Sequence, residues 1–535
     1  MRRRDFIKRV VPVTALPFFI NGFRLRAYGR SPFLETLIGA ATATDRVLVL
    51  VQLNGGNDGI NTVIPLDQYS TYFNVRSNIA ISENSVLKLT LANGLHPAMT
   101  GMKTLYDDAK LTVVQGVTYP NPNLSHFRAT DIWLTASDYN QYLSSGWMGR
   151  YLDYEFPDYP DGYPNEVMPD PLAIQIGSVI SLGLQGSGRS MGIAIQDPNT
   201  FYQLVSGGSS GGTDTPPQTP AGHELTYIRQ VALQSQAYAT QVKAAAARAQ
   251  NRATYPTQNT LADQLKIVAR LIAGGLKTRI YIVNIGGFDN HSSQVVGGSP
   301  TTGTHATLLG RLSAAAFAFQ EDLRLLSSSS NNVEDRVVGI TFSEFGRRVA
   351  SNASLGTDHG TAAPIFLFGK KVEPGIVGAN PSLSDLTSGN LKMQFDFRRV
   401  YASVLSQWFG VDQTELNAVL RTPLLPNIQP LDLLQAPITE VARDRGLPTG
   451  YRLYENYPNP FNPTTTISYD LPADADVVLK VYDMLGREVT TLVEDHQTVG
   501  RHRILFDASN LSSGAYIYQL RAGSFTDRKK MLMLK

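Results

Sequence analysis

Arg46-Val-Leu-Val-Leu-Val-Gln-Leu53, running straight into Asn54-Gly55-Gly56, is the stretch that decides how most of this 535-residue chain is built. An apolar run without alternation is a strand buried on both faces, and the glycines after it mark entry into a loop. Leu111-Thr-Val-Val-Gln115, Arg279-Ile-Tyr-Ile-Val-Asn-Ile285 and Arg336-Val-Val-Gly-Ile-Thr-Phe342 have the same character. Helical stretches lie between them, notably Leu225 to Ala253 and Leu261 to Leu276, the second apolar at Leu265, Val268, Ala269 and Ile272. Strands alternating with helices predict a doubly wound α/β sheet covered on both faces. Ligands then gather at the carboxyl ends of the strands.

Composition bounds the rest. The length exceeds one ordinary domain, so at least two are expected. Hydrophobic residues at 42% and charged residues at 17% exclude a disordered chain. Forty-seven Lys+Arg against 45 Asp+Glu leaves +2, which gives no global charge for nucleic-acid binding. The absence of cysteine excludes disulfides, thiolate metal sites and a cysteine nucleophile together.

The N-terminus reads as an address. Arg3-Arg4-Asp5-Phe6-Ile7-Lys8 resembles a twin-arginine export signal, and the run Val10 to Ile20 is too short to span a bilayer but suits a signal-peptide core. Ala27-Tyr28-Gly29 offers a small-x-small cleavage site, so residues 1–29 are expected to be removed. The α/β domain then spans 30–445, interrupted by a Gly/Ser/Thr/Pro insertion at 207–222. No later segment reaches 18 apolar residues, so no membrane span is expected. Beyond a Pro-rich tract from Pro423 to Pro437, and a boundary near Arg443 to Gly450, the period changes from 3.6 to 2. Val477, Leu479 and Val481 alternate with Val478, Lys480 and Tyr482, and Gly486, Gly500 and Gly514 separate short strands. Residues 446–535 therefore read as a small all-β, immunoglobulin-like sandwich.

That tail carries Asn456-Tyr-Pro-Asn-Pro-Phe-Asn-Pro-Thr-Thr-Thr466, Val481-Tyr-Asp-Met-Leu-Gly-Arg-Glu-Val489 and Lys529-Lys-Met-Leu-Met-Leu-Lys535. Together they resemble the C-terminal sorting domain of the type IX secretion system. The resemblance implies a partner in that machinery, after twin-arginine or general export to the periplasm, and a final place at the cell surface or outside. A carbohydrate-binding sandwich is the competing reading, and the lack of tryptophan after Trp408 weighs against it.

Nucleotide-binding loops and H-E-x-x-H are absent. Gly208-Ser-Ser-Gly-Gly212 fits G-x-S-x-G formally, but it sits inside the insertion and reads as linker. The histidines are more informative. Five of the eight, His96, His126, His291, His305 and His359, fall in polar, loop-like settings. Asp289-Asn-His291 follows one strand directly, Glu344-Phe-Gly-Arg347 follows another and leads to Asp358-His359, and Ser125-His126 lies in a loop after a third. A carboxylate and an imidazole close together in a glycine-rich loop can face one ion. Taken singly each has a plainer reading: Asp-x-His as a turn, Glu344 with Arg347 as an ion pair within the loop, Ser125 as a helix cap, His96-Pro97 as a helix start. Three such clusters at strand ends of one sheet favour a site.

Leu53-Asn-Gly-Gly-Asn-Asp58-Gly, Leu124-Ser-His-Phe127 with Asp131-Ile-Trp133, Gly146-Trp-Met-Gly-Arg150, Gly286-Gly-Phe-Asp-Asn-His291, Ser343-Glu-Phe-Gly-Arg347, Gly356-Thr-Asp-His-Gly-Thr361 and Asp396-Phe-Arg-Arg-Val-Tyr401 together resemble the DUF1501 family from about residue 45 to 425. That family is similar to the sulfatase/alkaline-phosphatase superfamily. The resemblance implies an alkaline-phosphatase-like core, one or two divalent ions (Zn, Mn, Ca or Mg) and a hydroxyl nucleophile acting on phosphate or sulfate esters. It assigns Asp358-His359 to one ligand pair, Asp289 and His291 to the other, and the nucleophile's place to Ser125. This chain has Asn54 where a strand-1 acid is expected, with Asp58 four residues on, and His126 or His305 must replace a missing late histidine. Arg347 or Arg128 would hold the substrate's non-bridging oxygens. The expected function is an exported metal-dependent hydrolase; the rival is a non-catalytic surface protein that keeps the fold.

Overall fold

A computed structural model describes residues 17–20, 23–26, 45–156, 159–160, 162–206, 235–328, 331–420, 428–435, 450–454, 456 and 459–534. The twin-arginine motif, the cleavage site, the insertion with Gly208 to Gly212, the first part of the 225–253 helix and nearly all of the 443–450 boundary lie outside them. Two compact units emerge, one within Asp45–Ile438 and one within Thr439–Lys535.

The first unit is built on a nine-stranded mixed sheet. In chain order its strands are β1 (Val47–Leu53), β2 (Leu111–Thr118), β3 (Ala173–Ile176), β4 (Ile193–Ile195), β5 (Ile280–Ile285), β6 (Val337–Ser343), β7 (Ala363–Phe368), β8 (Gly375–Val377) and β9 (Phe395–Asp396). They lie in the order β8-β2-β7-β6-β1-β5-β3-β4, with β9 added beside β2. β1 sits between β6 and β5 and is parallel to both, while β7 runs antiparallel to its neighbours β6 and β2. The four strands expected from apolar runs are β1, β2, β5 and β6.

Both faces of the sheet are packed, as a continuous apolar run requires. Leu48, Leu50, Ile282 and Ile340 point into a layer with Trp133, Trp147, Tyr401 and Trp408. These come from α2 (His126–Thr135), α3 (Trp147–Glu155), α6 (Phe397–Ser403) and the π-helical turn that follows α6. Val49, Val51, Tyr281 and Val283 point the other way, onto α1 (Thr100–Asp107), α4 (Thr260–Ala273) and α5 (Thr304–Leu326). Shortening any one of these leucines or isoleucines to alanine is worth roughly 2–5 kcal/mol. Helix α4 shows why the local sequence sufficed: Asn259 caps its first turn by accepting from the Ala262 amide, and Gly274-Gly275 ends it.

Register decides where the loops emerge. Leu53 lies level with Ile285 of β5 and with Ser343 of β6. The segments starting at Asn54, Gly286 and Glu344 therefore leave the sheet at one edge, side by side.

The second unit is all β. Arg452–Leu453, Thr464–Leu471 and Gly500–Asp507 form one antiparallel sheet; Glu488–Gln497, Ala475–Asp483, Gly514–Ala522 and Phe525–Met533 form another. Ile467, Tyr469, Val477, Leu479, Val481, Tyr518 and Leu520 share one core, so one of the two alternating sets seen in the sequence faces inward. No helix among the described residues is long and apolar enough to cross a membrane.

Candidate functional site

The three adjacent loops at the carboxyl edge pack backbone on backbone. Gly55, at φ +104°, passes so close to the β5 loop that a Cβ there would lie 2.5 Å from the Asp289 amide nitrogen. Gly356 does the same on the far side, where a Cβ would stand 2.4 Å from the His291 carbonyl. Glycine is needed at both positions because any side chain would push the loops apart. The hairpin Arg347–Ser351 with Thr357–His359 then brings His359 back over the edge, pairing it with Arg347.

The result is a cluster centred on the Asp289 carboxylate. His291 and His359 each place Nε2 3.1 Å from Asp289 Oδ1, and the two Nε2 atoms are 2.8 Å apart. His126, at the start of α2, places its Nε2 3.3 Å from Asp289 Oδ2. Ligands about 2.0–2.1 Å from one ion stand roughly 3.0–3.4 Å from each other in tetrahedral or octahedral arrangements, so the spacing suits a shared ion. Among the described residues, His126, Asp289 and His359 form a group whose donor atoms all lie within 4.8 Å of one another.

Tautomers sharpen this. His359 Nδ1 lies 2.9 Å from the Leu124 carbonyl, which can only accept, so Nδ1 carries the proton and the neutral ring turns a lone pair inward. His126 Nδ1 lies 2.5 Å from Glu344 Oε2, which places its lone pair on Nε2 by the same reasoning. Two lone pairs and a carboxylate thus face one another. A proton on His291 Nε2 can be donated to His359 Nε2, 2.8 Å away, and a cation could take both lone pairs in its place. Phe345 lies against both the His126 and His359 rings. Burial lowers His359 below the ordinary imidazole value, which favours the neutral form. Burial pushes the Asp289 carboxyl upward, but the Arg347 guanidinium hydrogen-bonded to it more than offsets this, and the net displacement is downward.

Not every predicted residue lies here. Asp358 is exposed beside the cluster: its Oδ1 is 3.9 Å from His291 Nδ1, the nitrogen that faces away from Asp289, and it accepts from Asn352. Asp58 is buried with Arg76, whose Nη1 is 2.8 Å from Oδ2, and Gln294 donates to the same oxygen at 2.6 Å. Burial raises its carboxyl, and the Arg76 charge outweighs that to hold it low. His305 is enclosed in that second network, with Nε2 on Asn57 Oδ1 at 3.0 Å, and burial brings it down to about 4. Arg347 is buried under the loops, donating to the carbonyls of Gly56, Thr357 and Phe288 as well as to Asp289. It positions Asp289. Arg128 spends its Nη2 on the carbonyls of Asp138, Tyr139 and Gln141. Ser125 is exposed at the N-cap of α2, and its hydroxyl makes no capping bond.

Glu344 belongs to one of the strand-end clusters but carries no site role in the sequence reading. The plainer reading, an ion pair with Arg347, gives way to two other contacts: Arg347 takes Asp289, and Glu344 takes His126 while its Oε1 accepts from the Gly55 amide at 2.9 Å. Its place directly after a strand, one residue beyond Ser343, was the available signal.

No curated protein matches the chain. Residues 215–421 match the family model described as a protein of unknown function, DUF1501, and residues 455–534 match the secretion system C-terminal sorting domain. Asp289, His291, Glu344 and His359 fall inside the first match and His126 precedes it. The chain thus carries a DUF1501 region followed by a sorting domain that directs type IX secretion and marks it as an exported protein.

Proposed function

We propose that the α/β unit is an exported, metal-dependent hydrolase of phosphate or sulfate esters with an alkaline-phosphatase-like core. One observation carries this reading: three imidazoles turn Nε2 toward a single carboxylate, with two of them locked in the ligating tautomer by acceptors behind. His126, Asp289 and His359 would hold the ion, and His291 would complete a four-donor set. Imidazole-rich donors without thiolate favour Zn, then Mn, over Ca or Mg, which prefer oxygen. When bound, such an ion supplies charge against the ester's oxygens and lowers the pKa of a nearby hydroxyl.

The chain's own groups do the rest. Glu344 and the Leu124 carbonyl hold the imidazoles in orientation, and Arg347 holds Asp289 ionised and aimed. Ser125, exposed and beside His126, is the candidate nucleophile. Arg347 and Arg128 are both committed to backbone carbonyls, so neither is free to clamp a substrate. The same fact favours the rival reading, a surface protein that keeps the fold and the ion but does no chemistry. Export through the twin-arginine or general route to the periplasm, then to the surface by the type IX machinery, fits a substrate met outside the cell.

Metal analysis of the secreted protein, paired with a phosphatase and sulfatase panel, separates these. The hydrolase reading expects about one divalent ion per chain and turnover that a chelator abolishes. A chain that takes up no divalent ion at pH 8 sinks the site; bound ion with no turnover on any ester supports the rival.

A further inference from the structure

Trp133 lies on α2, the helix that begins at His126. Seven residues are about two turns, so both side chains leave one face of the helix, roughly 10 Å apart along its axis. Both reach the same residue. His126 Nδ1 lies 2.5 Å from Glu344 Oε2, and Trp133 donates its indole N–H to the Glu344 main-chain carbonyl at 2.8 Å. The indole is buried; it stacks on Phe342, two residues before Glu344 on β6, and packs against Phe397 of α6. A phenylalanine would meet the need for apolar packing at this position. The indole adds one donor, and a buried indole N–H needs an acceptor, so it fixes where α2 lies along the β6 loop.

That placement matters at the other end of the same face. The first turn of a helix is its least restrained part, and the Ser125 hydroxyl makes no capping bond there. The contact between His126 and Glu344 is short and directional, so a slide of the helix would break it. We propose that Trp133 is a positioning residue for the ion site: its N–H clamps α2 to the Glu344 main chain and so keeps the Glu344 carboxylate on His126 Nδ1, leaving the Nε2 lone pair for an ion. The proposal rests on the ion-binding reading of the cluster and extends the site to a core residue two turns away.

The test compares two variants of the secreted protein. Trp133→Phe keeps a ring against Phe342 and Phe397 and removes the donor. Tyr401→Phe is its control, because the Tyr401 hydroxyl donates to the Trp133 carbonyl at 3.2 Å and makes no contact with Glu344 that this change would remove. In metal-free protein at pH 8, imidazole 15N shifts tell Nδ1–H from Nε2–H, with His126→Gln assigning the signal. Wild type and Tyr401→Phe are expected to carry the His126 proton on Nδ1, and Trp133→Phe to mix the two tautomers. Zn affinity, measured against a chromophoric chelator, should fall about fivefold in Trp133→Phe and stay unchanged in Tyr401→Phe. An unaltered His126 signal in folded Trp133→Phe overturns the proposal, as does an equal loss of affinity in both variants, which would leave Trp133 a packing residue. Should Trp133→Phe fail to fold, wild type decides alone. Coupling is reciprocal, so Zn must slow hydrogen exchange of the Trp133 indole proton; equal rates with and without Zn overturn the proposal. A wild type that takes up no Zn refutes the ion reading and leaves the tautomer measurement to decide on Trp133.

Discussion

Two groups of acids and histidines sit beneath the same loops, and they are built on opposite principles. Around Asp58 every charge is answered: Arg76 pairs with it, Gln294 donates to it, and His305 shares a neutral hydrogen bond with Asn57, all out of solvent. Around Asp289 the partners behind the ring are satisfied while the atoms in front face one another. The first group is a closed structural network. The second keeps its Nε2 and carboxylate atoms on one partly exposed face, and that difference, more than the residue types, separates a candidate ligand site from a core.

The comparison breaks most visibly at Asp58. Asp58→Ala leaves the buried Arg76 guanidinium without its counter-charge, at a cost of about 3–5 kcal/mol, with ion binding unchanged in the fraction that folds. Urea unfolding and metal content, measured together, check both halves. Ion loss in a folded Asp58→Ala protein would join the two networks into one.

Acid should probe the closed group next. His305 and His96 are lowered to about 4 and about 3, chiefly by burial, against 6.5 in the unfolded chain. Between 6.5 and 4 the unfolded state therefore binds protons that the folded state refuses, and stability falls as pH falls. Each histidine's contribution is full above pH 6.5 and falls by roughly 1.4 kcal/mol per pH unit from there down to its folded pKa. Asp58, held below 3.8, adds its own loss only beneath that value. His305→Gln should remove about half of the slope between pH 6 and 4.5; an unchanged slope would place the protons elsewhere.

How much of this was legible in the sequence follows the same division. The central strands were readable because Val47 to Val51 and the middles of its counterparts are apolar without alternation, as a doubly covered strand is. The loops were readable because Asp289 and His291 follow a strand directly, with glycines before them. Partnership was not readable. Glu344 lies three residues from Arg347 but 218 from His126, and nothing local says which it will take. Asp58 looked like a ligand because its partner Arg76 is 18 residues away on another element. The antiparallel β7 escaped because its apolar run begins Ala363-Pro364, which reads as a loop end.

The open group should respond in ion affinity. Asp289→Asn removes the carboxylate common to all three imidazoles and is expected to weaken divalent binding at least about 100-fold, and it also costs the apo fold stability because the buried Arg347 loses its counter-charge. Glu344→Gln keeps the acceptor for the Gly55 amide but no longer fixes the His126 tautomer, and a loss of about 10–100-fold is expected. Competition with a chromophoric chelator measures both. Full affinity in Asp289→Asn would show that the imidazoles converge for another reason.

The smallest structural effect is expected at Ser125. A serine at a helix N-cap ordinarily accepts from the first turn, and losing that bond costs about 1 kcal/mol. Here the cap geometry is present, at φ −83° and ψ 126°, but the hydroxyl makes no such bond. The backbone amide of Ser125 is answered instead by Asn123 Oδ1 at 2.9 Å, a contact that alanine preserves. Ser125→Ala should therefore leave the melting curve and the ion content within error, shifting stability by under about 0.5 kcal/mol. A hydroxyl next to His126 in the chain that makes no capping bond is free for chemistry. If the hydrolase reading holds, the same variant loses turnover on every ester that wild type cleaves. Turnover at the wild-type rate would remove Ser125 from the reaction and pass the attack to water.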